Sequence, residues 1–286
     1  MSLGAGRADR ALSTTEMHEV FARGVEAMQP DGKRIVVIIP DGTRSSPMPL
    51  VFRELADLLL PRATRLEFII ALGTHLAMTE ADILQHLGLT AEERSGRYGR
   101  VIITNHDWQA DPQPVGCVDG AEMAAMSGGL WRQPMPVSVS RRILDSDHVV
   151  ICGPVFPHEV VGYSGGNKYL FPGVSGAEVI NVTHWLAGLI GNLHIIGYPE
   201  TPVRRLIDRA ATLIPVPRSC FAMVVRGASD LMGLYFGTPE EAQREAAALS
   251  AKVNVRYVPR QYRTVLAVLP QLYDDFWTGC KGMLKS

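Results

Sequence analysis

Short apolar runs rich in β-branched residues recur along this chain and alternate with segments of helical spacing. Runs of this kind are typical of strands that are buried on both faces. They cover residues 34–39, 65–72, 100–104, 148–153, 219–225 and 263–269. Between them, helices are predicted at 47–60, 79–87, 177–189, 201–213 and 239–252. This alternation predicts an α/β fold in which a mainly parallel sheet is flanked by helices.

The length of 286 residues allows one large domain or two ordinary ones. We predict a tail and a helix over residues 1–30, with disorder in the first ten residues, and then an α/β domain over residues 31–260. The strand at 263–269 and a helix at 274–284 would begin another βα unit that nothing follows. We therefore expect residues 261–286 to be the start of a second α/β domain that is largely absent.

Composition and charge narrow the classes of partner. The formal net charge of -1 provides no global field that would attract nucleic acid or an anionic membrane. No apolar run approaches the length of a membrane span, and no signal peptide is visible. The four cysteines have no C-x-x-C spacing, which is unlike a zinc knuckle or a disulfide framework. These features favour a cytoplasmic protein that binds neither nucleic acid nor membrane.

The loop at residues 157–176, PHEVVGYSGGNKYLFPGVSG, concentrates residues with chemical potential. His158 can exchange a proton or bind a metal near neutral pH. The glycine pair at 165–166 lets the backbone turn and approach a ligand closely. Lys168 brings a cation or a nucleophilic amine to the same loop. A glycine-rich loop alone is as often a simple turn, so the case for a site depends on the residues that accompany it.

Polar residues also follow several of the predicted strands. They are Asp41, His75, His106 and His158. In a parallel α/β sheet, ligands bind at the carboxyl ends of the strands. We therefore expect these residues to lie at one edge of the sheet. In particular, we predict that His106, His158, Lys168 and His184 converge on one cleft.

The ordered set of motifs resembles the nickel-dependent lactate racemase family over about residues 34–189. The motifs are PDGTR at 40–44, GTH at 73–75, NHD at 105–107, PH at 157–158, GYSGGNK at 162–168, PG at 172–173 and THW at 183–185. Several motifs in one order are far more specific than any of them alone.

The resemblance implies a cofactor. It would be the nickel-pincer nucleotide, pyridinium-3-thioamide-5-thiocarboxylic acid mononucleotide, attached covalently to Lys168. His184 would bind the nickel, a metal that suits imidazole. The resemblance also implies that the residues around the cofactor include Asp41, Ser164, Gly165 and Gly166. Backbone N–H groups of the glycine turn would hold the phosphate of the cofactor.

The resemblance further implies a racemase or epimerase of a 2-hydroxy acid that works by reversible hydride transfer to the cofactor. His106 and His158 would act as acid and base on the two sides of the substrate, and Arg44 would contact the substrate. The partners would be a small 2-hydroxy acid and the proteins that make the cofactor. For His75, a structural role in the sheet rim and a role in the site stay equally open.

Two other functions stay open from the residues. The first is a non-catalytic module that binds phosphate or a nucleotide through the loop at 162–168 and Arg44. The second is a metal hydrolase in which His106, His158 and His184 form a three-histidine site with a water in the open position.

Overall fold

The computed structural model describes residues 3–73, 75–227, 229–269 and 279–280. Its strands are β1 (Leu3–Gly6), β2 (Arg34–Pro40), β3 (Arg65–Ala71), β4 (Ile102–Asn105), β5 (Pro112–Val118), β6 (Met135–Ser140), β7 (His148–Pro154), β8 (Pro157–His158), β9 (Gly162–Tyr163), β10 (Arg218–Arg226) and β11 (Asp230–Gly237). Its helices are α1 (Thr14–Met28), α2 (Met48–Leu59), α3 (Glu80–Leu87), α4 (Ala91–Ser95), α5 (Gly120–Ser127), α6 (Arg141–Leu144), α7 (Ala177–Ile190), α8 (Pro202–Ala211) and α9 (Pro239–Asn254).

Within the described residues, seven strands form one sheet in the order β1-β11-β10-β7-β2-β3-β4. The strands from β10 to β4 are parallel to their neighbours, and β11 and β1 continue the sheet in antiparallel fashion. The predicted α/β fold with a mainly parallel sheet is confirmed. Its consequence is that β2, β3, β4 and β7 deliver their carboxyl ends, and the loops that follow them, to one edge.

Helices cover both faces of this sheet, as the apolar strand runs require. Along β2, Val36 and Ile38 pack in one core, while Ile35, Val37 and Ile39 pack in the other. The first core includes side chains of α7, α8 and α9, and the second includes side chains of α1, α2 and α3. Because successive side chains of a strand point to opposite faces, a strand between two such layers must be apolar throughout.

The predicted helix over 79–87 is confirmed, and its ends have a clear physical cause. The Thr79 hydroxyl accepts a hydrogen bond from the backbone N–H of Asp82, and the Asp82 carboxylate accepts one from the N–H of Thr79. This capping box satisfies N–H groups that the first turn of a helix leaves unpaired. The helix ends at Gly88, which has a left-handed backbone conformation (φ 62°). This helix follows the loop that carries His75.

The two ends of the chain require corrections. Residues 3–6 were expected to be disordered, but they form β1, which pairs with β11 at the sheet edge. The predicted strand at 263–269 is wrong, because these residues form no strand and Leu266 and Val268 are almost fully exposed. A β-branched segment forms a strand only where a neighbouring strand and a packing surface are present.

The helix predicted at 274–284 lies outside the described residues except for 279–280, which are helical. The division at residues 260 and 261 stays a prediction.

The hairpin of β5 and β6, which pairs in antiparallel fashion outside the main sheet, was not predicted. Both of its strands contain proline, and a glycine lies at a register shift. In a sequence these residues are more typical of a loop than of a strand.

None of the helices in the described part of the chain is both long and apolar enough to span a membrane.

Candidate active site

A cleft that is partly open to solvent lies at the carboxyl ends of β2, β3 and β7. Its polar lining includes Asp41, Arg44, His75, His158, Ser164, Lys168, Tyr169 and His184. Prolines and apolar groups, including Pro40, Leu72, Phe156 and Pro172, form the rest of the wall. The cleft therefore gathers titratable groups from four separate segments of the sequence.

The predicted convergence is correct for three residues and wrong for the fourth. His158, Lys168 and His184 line the cleft together, whereas His106 is not part of its lining. His106 is 3% exposed, and its Nε2–H donates to the carbonyl oxygen of Ser175 at 3.0 Å. Burial lowers its pKa, so the ring is neutral at ordinary pH. His106 therefore supports the segment behind the cleft wall and is not placed to meet a substrate.

The side chains on either side of His106 in the Asn105-His106-Asp107 motif bond to nearby backbone groups. The Asn105 side chain accepts from the N–H of Met78 at 3.1 Å and donates to its carbonyl at 2.8 Å. The Asp107 carboxylate accepts from the N–H groups of Gln109 and Ala110. All three side chains thus organise loops, and the Asn105 pair of bonds fixes the segment that follows His75.

His75 and Asp41 form a hydrogen-bonded pair inside the cleft. His75 Nδ1 lies 2.5 Å from Asp41 Oδ2, and Asp41 Oδ1 accepts from the Thr43 hydroxyl at 2.6 Å. Burial alone would raise the pKa of the Asp41 carboxyl, but the hydrogen bonds from His75 and Thr43, together with the nearby positive charge of Arg44, outweigh it and leave the pKa below its ordinary value. In the tautomer of the neutral His75 ring that donates to this carboxylate, the proton lies on Nδ1 and the lone pair on Nε2.

The two remaining cleft histidines have opposite proton arrangements. The backbone N–H of Val160 donates to His158 Nδ1 at 3.0 Å, so the proton of a neutral His158 ring lies on Nε2. In α7, His184 Nδ1 donates to the carbonyl of Ile180 at 2.7 Å, which leaves the lone pair on Nε2. A histidine that binds a metal usually donates its other N–H to a backbone carbonyl or a carboxylate, as His184 does.

Arg44 enters the cleft on the loop after β2. Its guanidinium carbon lies 5.9 Å from the centre of the Phe156 ring, within the range of a cation–π contact. Among the described residues, no carboxylate lies within ion-pair distance of Arg44. The nearby Asp41 carboxylate pairs with His75 instead. The guanidinium is thus positioned by an aromatic face, which leaves its N–H groups for an anion.

The glycine turn before Lys168 is held from outside the cleft. Arg204 of α8 is 3% exposed, and its guanidinium donates to the carbonyls of Tyr163 at 2.6 Å and Gly165 at 3.3 Å. The Asn167 amide donates to Asp208 at 3.0 Å and to Glu240 at 2.6 Å. Side chains of α8 and α9 therefore hold the segment immediately before the residue that bears the amine.

The glycines of this turn have different reasons to be glycine. Gly165 lines the cleft with φ 81°, and a Cβ there would lie 2.3 Å from Val155 Cγ2. Gly166 is absent from the lining, and its Cβ would lie 2.9 Å from both Gln243 Cβ and the Pro239 carbonyl. The predicted cofactor contact of Gly166 thus has no support from its position, because packing against α9 already requires a glycine. Ser164 lines the cleft, but its hydroxyl bonds to backbone at Pro154 and Phe156.

Replacement of Arg204 by methionine is expected to destabilise the fold by about 3 kcal/mol, because the buried carbonyls of Tyr163 and Gly165 lose charged donors. Urea-induced unfolding measures the effect. Arg205→Met is the matched control, since Arg205 is exposed and its side-chain hydrogen bond among the described residues is to the carbonyl of Met126. The free energy of unfolding of this variant should change by less than about 0.5 kcal/mol. Equal losses in the two variants would contradict the role assigned to Arg204.

Sequence reasoning left His75 undecided and missed Arg204 and Tyr169 as parts of this site. The signal for His75 was present, because it follows a strand in the same way as His106. The role of Arg204 had no local signal, since it is separated from the turn that it holds by about 40 residues of sequence. Tyr169 directly follows Lys168, and its place in the lining depends on the turn that the two residues share.

Comparison with known sequences gives a consistent result. Residues 17–192, more than half of the chain, match the lactate racemase N-terminal domain family. A lactate racemase from Thermoanaerobacterium thermosaccharolyticum is 24% identical over 158 residues, which are 53% of this chain and 32% of that protein. The matched region thus spans about a third of the curated relative.

Solved structures support the fold. A crystal structure of a protein from Thermotoga maritima superimposes with a TM-score of 0.87 at 27% identity and covers 98% of this chain and 68% of that one. The lactate racemase apoprotein from Thermoanaerobacterium thermosaccharolyticum superimposes with a TM-score of 0.68 at 18% identity and covers 82% of this chain and 55% of that one.

Proposed function

The chain belongs to the lactate racemase N-terminal domain family, and from that membership we propose that it racemises or epimerises a 2-hydroxy acid with a nickel-pincer nucleotide attached to Lys168. The observation that carries the proposal is the meeting of His75, His158, Lys168 and His184 in one cleft. The proposal places the reaction in the cytoplasm and makes the proteins that build the cofactor necessary partners.

The residues of the cleft suit this cofactor. The Lys168 amine can form the thioamide link, and Nε2 of His184 can bind nickel while Nδ1 donates to Ile180. A single protein imidazole is sufficient for a metal whose other donors belong to the nucleotide itself. When bound, the nucleotide supplies an acceptor that takes the C2 hydrogen of the substrate as hydride and returns it.

The histidines would move the proton of the substrate hydroxyl. Nε2 of His75 has a lone pair and can accept that proton, and the Asp41 anion stabilises the imidazolium that results. Nε2 of neutral His158 bears a proton and can donate it to the substrate oxygen. Because inversion requires a proton carrier on each side of the substrate, two histidines of this kind suit a racemase. In this proposal His75 takes the role that the sequence assigned to His106.

The three-histidine hydrolase loses its basis, because His106 does not reach the cleft that contains His158 and His184. No group of three or more His, Cys, Asp or Glu side chains suited to a metal was found in the described part of the chain. The phosphate-binding module uses the same loop and Arg44, and the covalent adduct distinguishes it from the racemase.

The test is a racemisation assay in deuterated water. The full-length protein is produced in a host that makes the cofactor, and each enantiomer of lactate and of larger 2-hydroxy acids is followed by chiral chromatography. Hydride transfer predicts that the inverted product keeps its original C2 hydrogen. Product that has gained deuterium at C2 would indicate proton abstraction instead, and the absence of inversion with every 2-hydroxy acid would contradict the proposed function.

A further inference from the structure

Tyr169 lines the cleft next to Lys168, and its side chain is half-buried. Among the described residues its hydroxyl forms no hydrogen bond, although Asp41, His75, His158, Ser164 and His184 of the same lining are all hydrogen-bonded. A tyrosine hydroxyl normally finds a partner, so one without a protein partner at a cleft wall points to a ligand.

The position of this hydroxyl is fixed by Gly153, at the end of β7. A Cβ built on Gly153 would lie 2.1 Å from Tyr169 Oη and 2.2 Å from Cζ, so the glycine provides the space that the phenol fills. Three residues later, Phe156 supports the guanidinium of Arg44. One short segment, 153–156, therefore positions both the hydroxyl and the cation.

The hydroxyl is a donor and not an acid. Burial raises the pKa of Tyr169 well above its ordinary value, and the positive charge of Arg44 only partly opposes this effect. The phenol therefore keeps its proton throughout the physiological range. A neutral O–H of this kind forms short, strong hydrogen bonds to a carboxylate.

We propose that the Tyr169 hydroxyl and the Arg44 guanidinium form a carboxylate-binding subsite that takes the carboxylate of a small monocarboxylic acid. The identity of that acid as a 2-hydroxy acid rests on the proposed function. Once the Lys168 amine is part of a thioamide, its positive charge is gone. Arg44 is then the remaining Lys or Arg cation of the described cleft lining, which suits one carboxylate charge better than a dianion.

The first test is carboxylate binding by the unloaded protein. Lactate binding is measured by ligand-observed NMR for the wild type and for Tyr169→Phe, with lactamide, which lacks the carboxylate, as the comparison ligand. The variant should bind lactate about 10-fold more weakly, the loss expected for one hydrogen bond to a charged group, and the change with lactamide should be smaller. Equal lactate affinity in the two proteins, or no lactate binding by the wild type, would overturn the subsite.

Tyr235→Phe is the matched control. The Tyr235 hydroxyl also lies against a glycine, since a Cβ on Gly6 would be 2.2 Å from it, but it belongs to the far edge of the sheet. Removal of the Tyr235 hydroxyl should leave the affinity for lactate unchanged, and a loss equal to that of Tyr169→Phe would also overturn the proposal.

In the loaded full-length enzyme, Tyr169→Phe should raise KM with little change in kcat. If lactate binding depends on Tyr169 but the wild-type enzyme does not racemise any 2-hydroxy acid, only the proposed function is contradicted. If the wild-type enzyme racemises its substrate and Tyr169→Phe has the same KM, only the subsite is contradicted.

Discussion

Lys168→Ala is expected to give a folded protein with no covalent nucleotide, no bound nickel and no racemase activity. The turn that bears Lys168 is held by Asn167 and Arg204, so the loss of the amine removes no core packing. Without the amine no thioamide can form, and the proposed reaction would then have no hydride acceptor. Intact-protein mass spectrometry and nickel analysis of protein from a cofactor-producing host measure the loss.

Two further variants sharpen this result. Lys168→Arg keeps the positive charge but lacks the acylatable amine, so it should also have no adduct. Lys252→Ala, an exposed residue at the end of α9, should be loaded as fully as the wild type. An adduct of unchanged mass in Lys168→Ala would refute the attachment site. A wild-type protein that has no adduct but binds phosphate, with binding preserved in Lys168→Arg, would favour the phosphate-binding module.

His75→Ala and His158→Ala are each expected to slow racemisation by about 10²–10⁴-fold in both directions, the range typical of a lost general acid or base. Both directions should suffer because in the proposed reaction each complete turnover would use both residues. The first half of the reaction should be more discriminating. One variant should still remove the C2 hydrogen from one enantiomer only, and the other variant should show the reverse preference.

The measurement is single-turnover absorbance of the loaded protein with each pure enantiomer. His106→Gln is the control, because the glutamine amide nitrogen can occupy the position of Nε2 and donate to the Ser175 carbonyl, and because His106 is not part of the cleft lining. It should retain the half-reaction with both enantiomers. If His75→Ala behaves like His106→Gln while His158→Ala is inactive, the pairing of His75 with His158 is wrong.

The contrast between His75 and His106 shows how far the sequence could specify the site. Each follows a buried parallel strand, β3 and β4 respectively, and strand ends are where such folds bind ligands. Position along the chain therefore placed both at the correct edge. It could not say which ring turns into the cleft, because that depends on the Asp41 carboxylate for His75 and on the Ser175 carbonyl for His106. Both partners are distant in sequence.

Across the whole protein, too, local sequence determined some features and contacts between distant segments determined others. Apolar periodicity determined the parallel strands and the main helices, because burial on both faces of a sheet leaves a continuous apolar run that local reading detects. The ordered motifs determined the family, and they placed His158, Lys168 and His184 in one site. Only the tertiary structure decided that Arg204 holds the Lys168 turn, that Gly166 is a packing glycine and that Tyr169 faces the cleft. It also left residues 263–269 without a strand. The physical reason is that these outcomes depend on contacts between segments far apart in the chain, and local composition does not record which partner a side chain or a strand edge will meet.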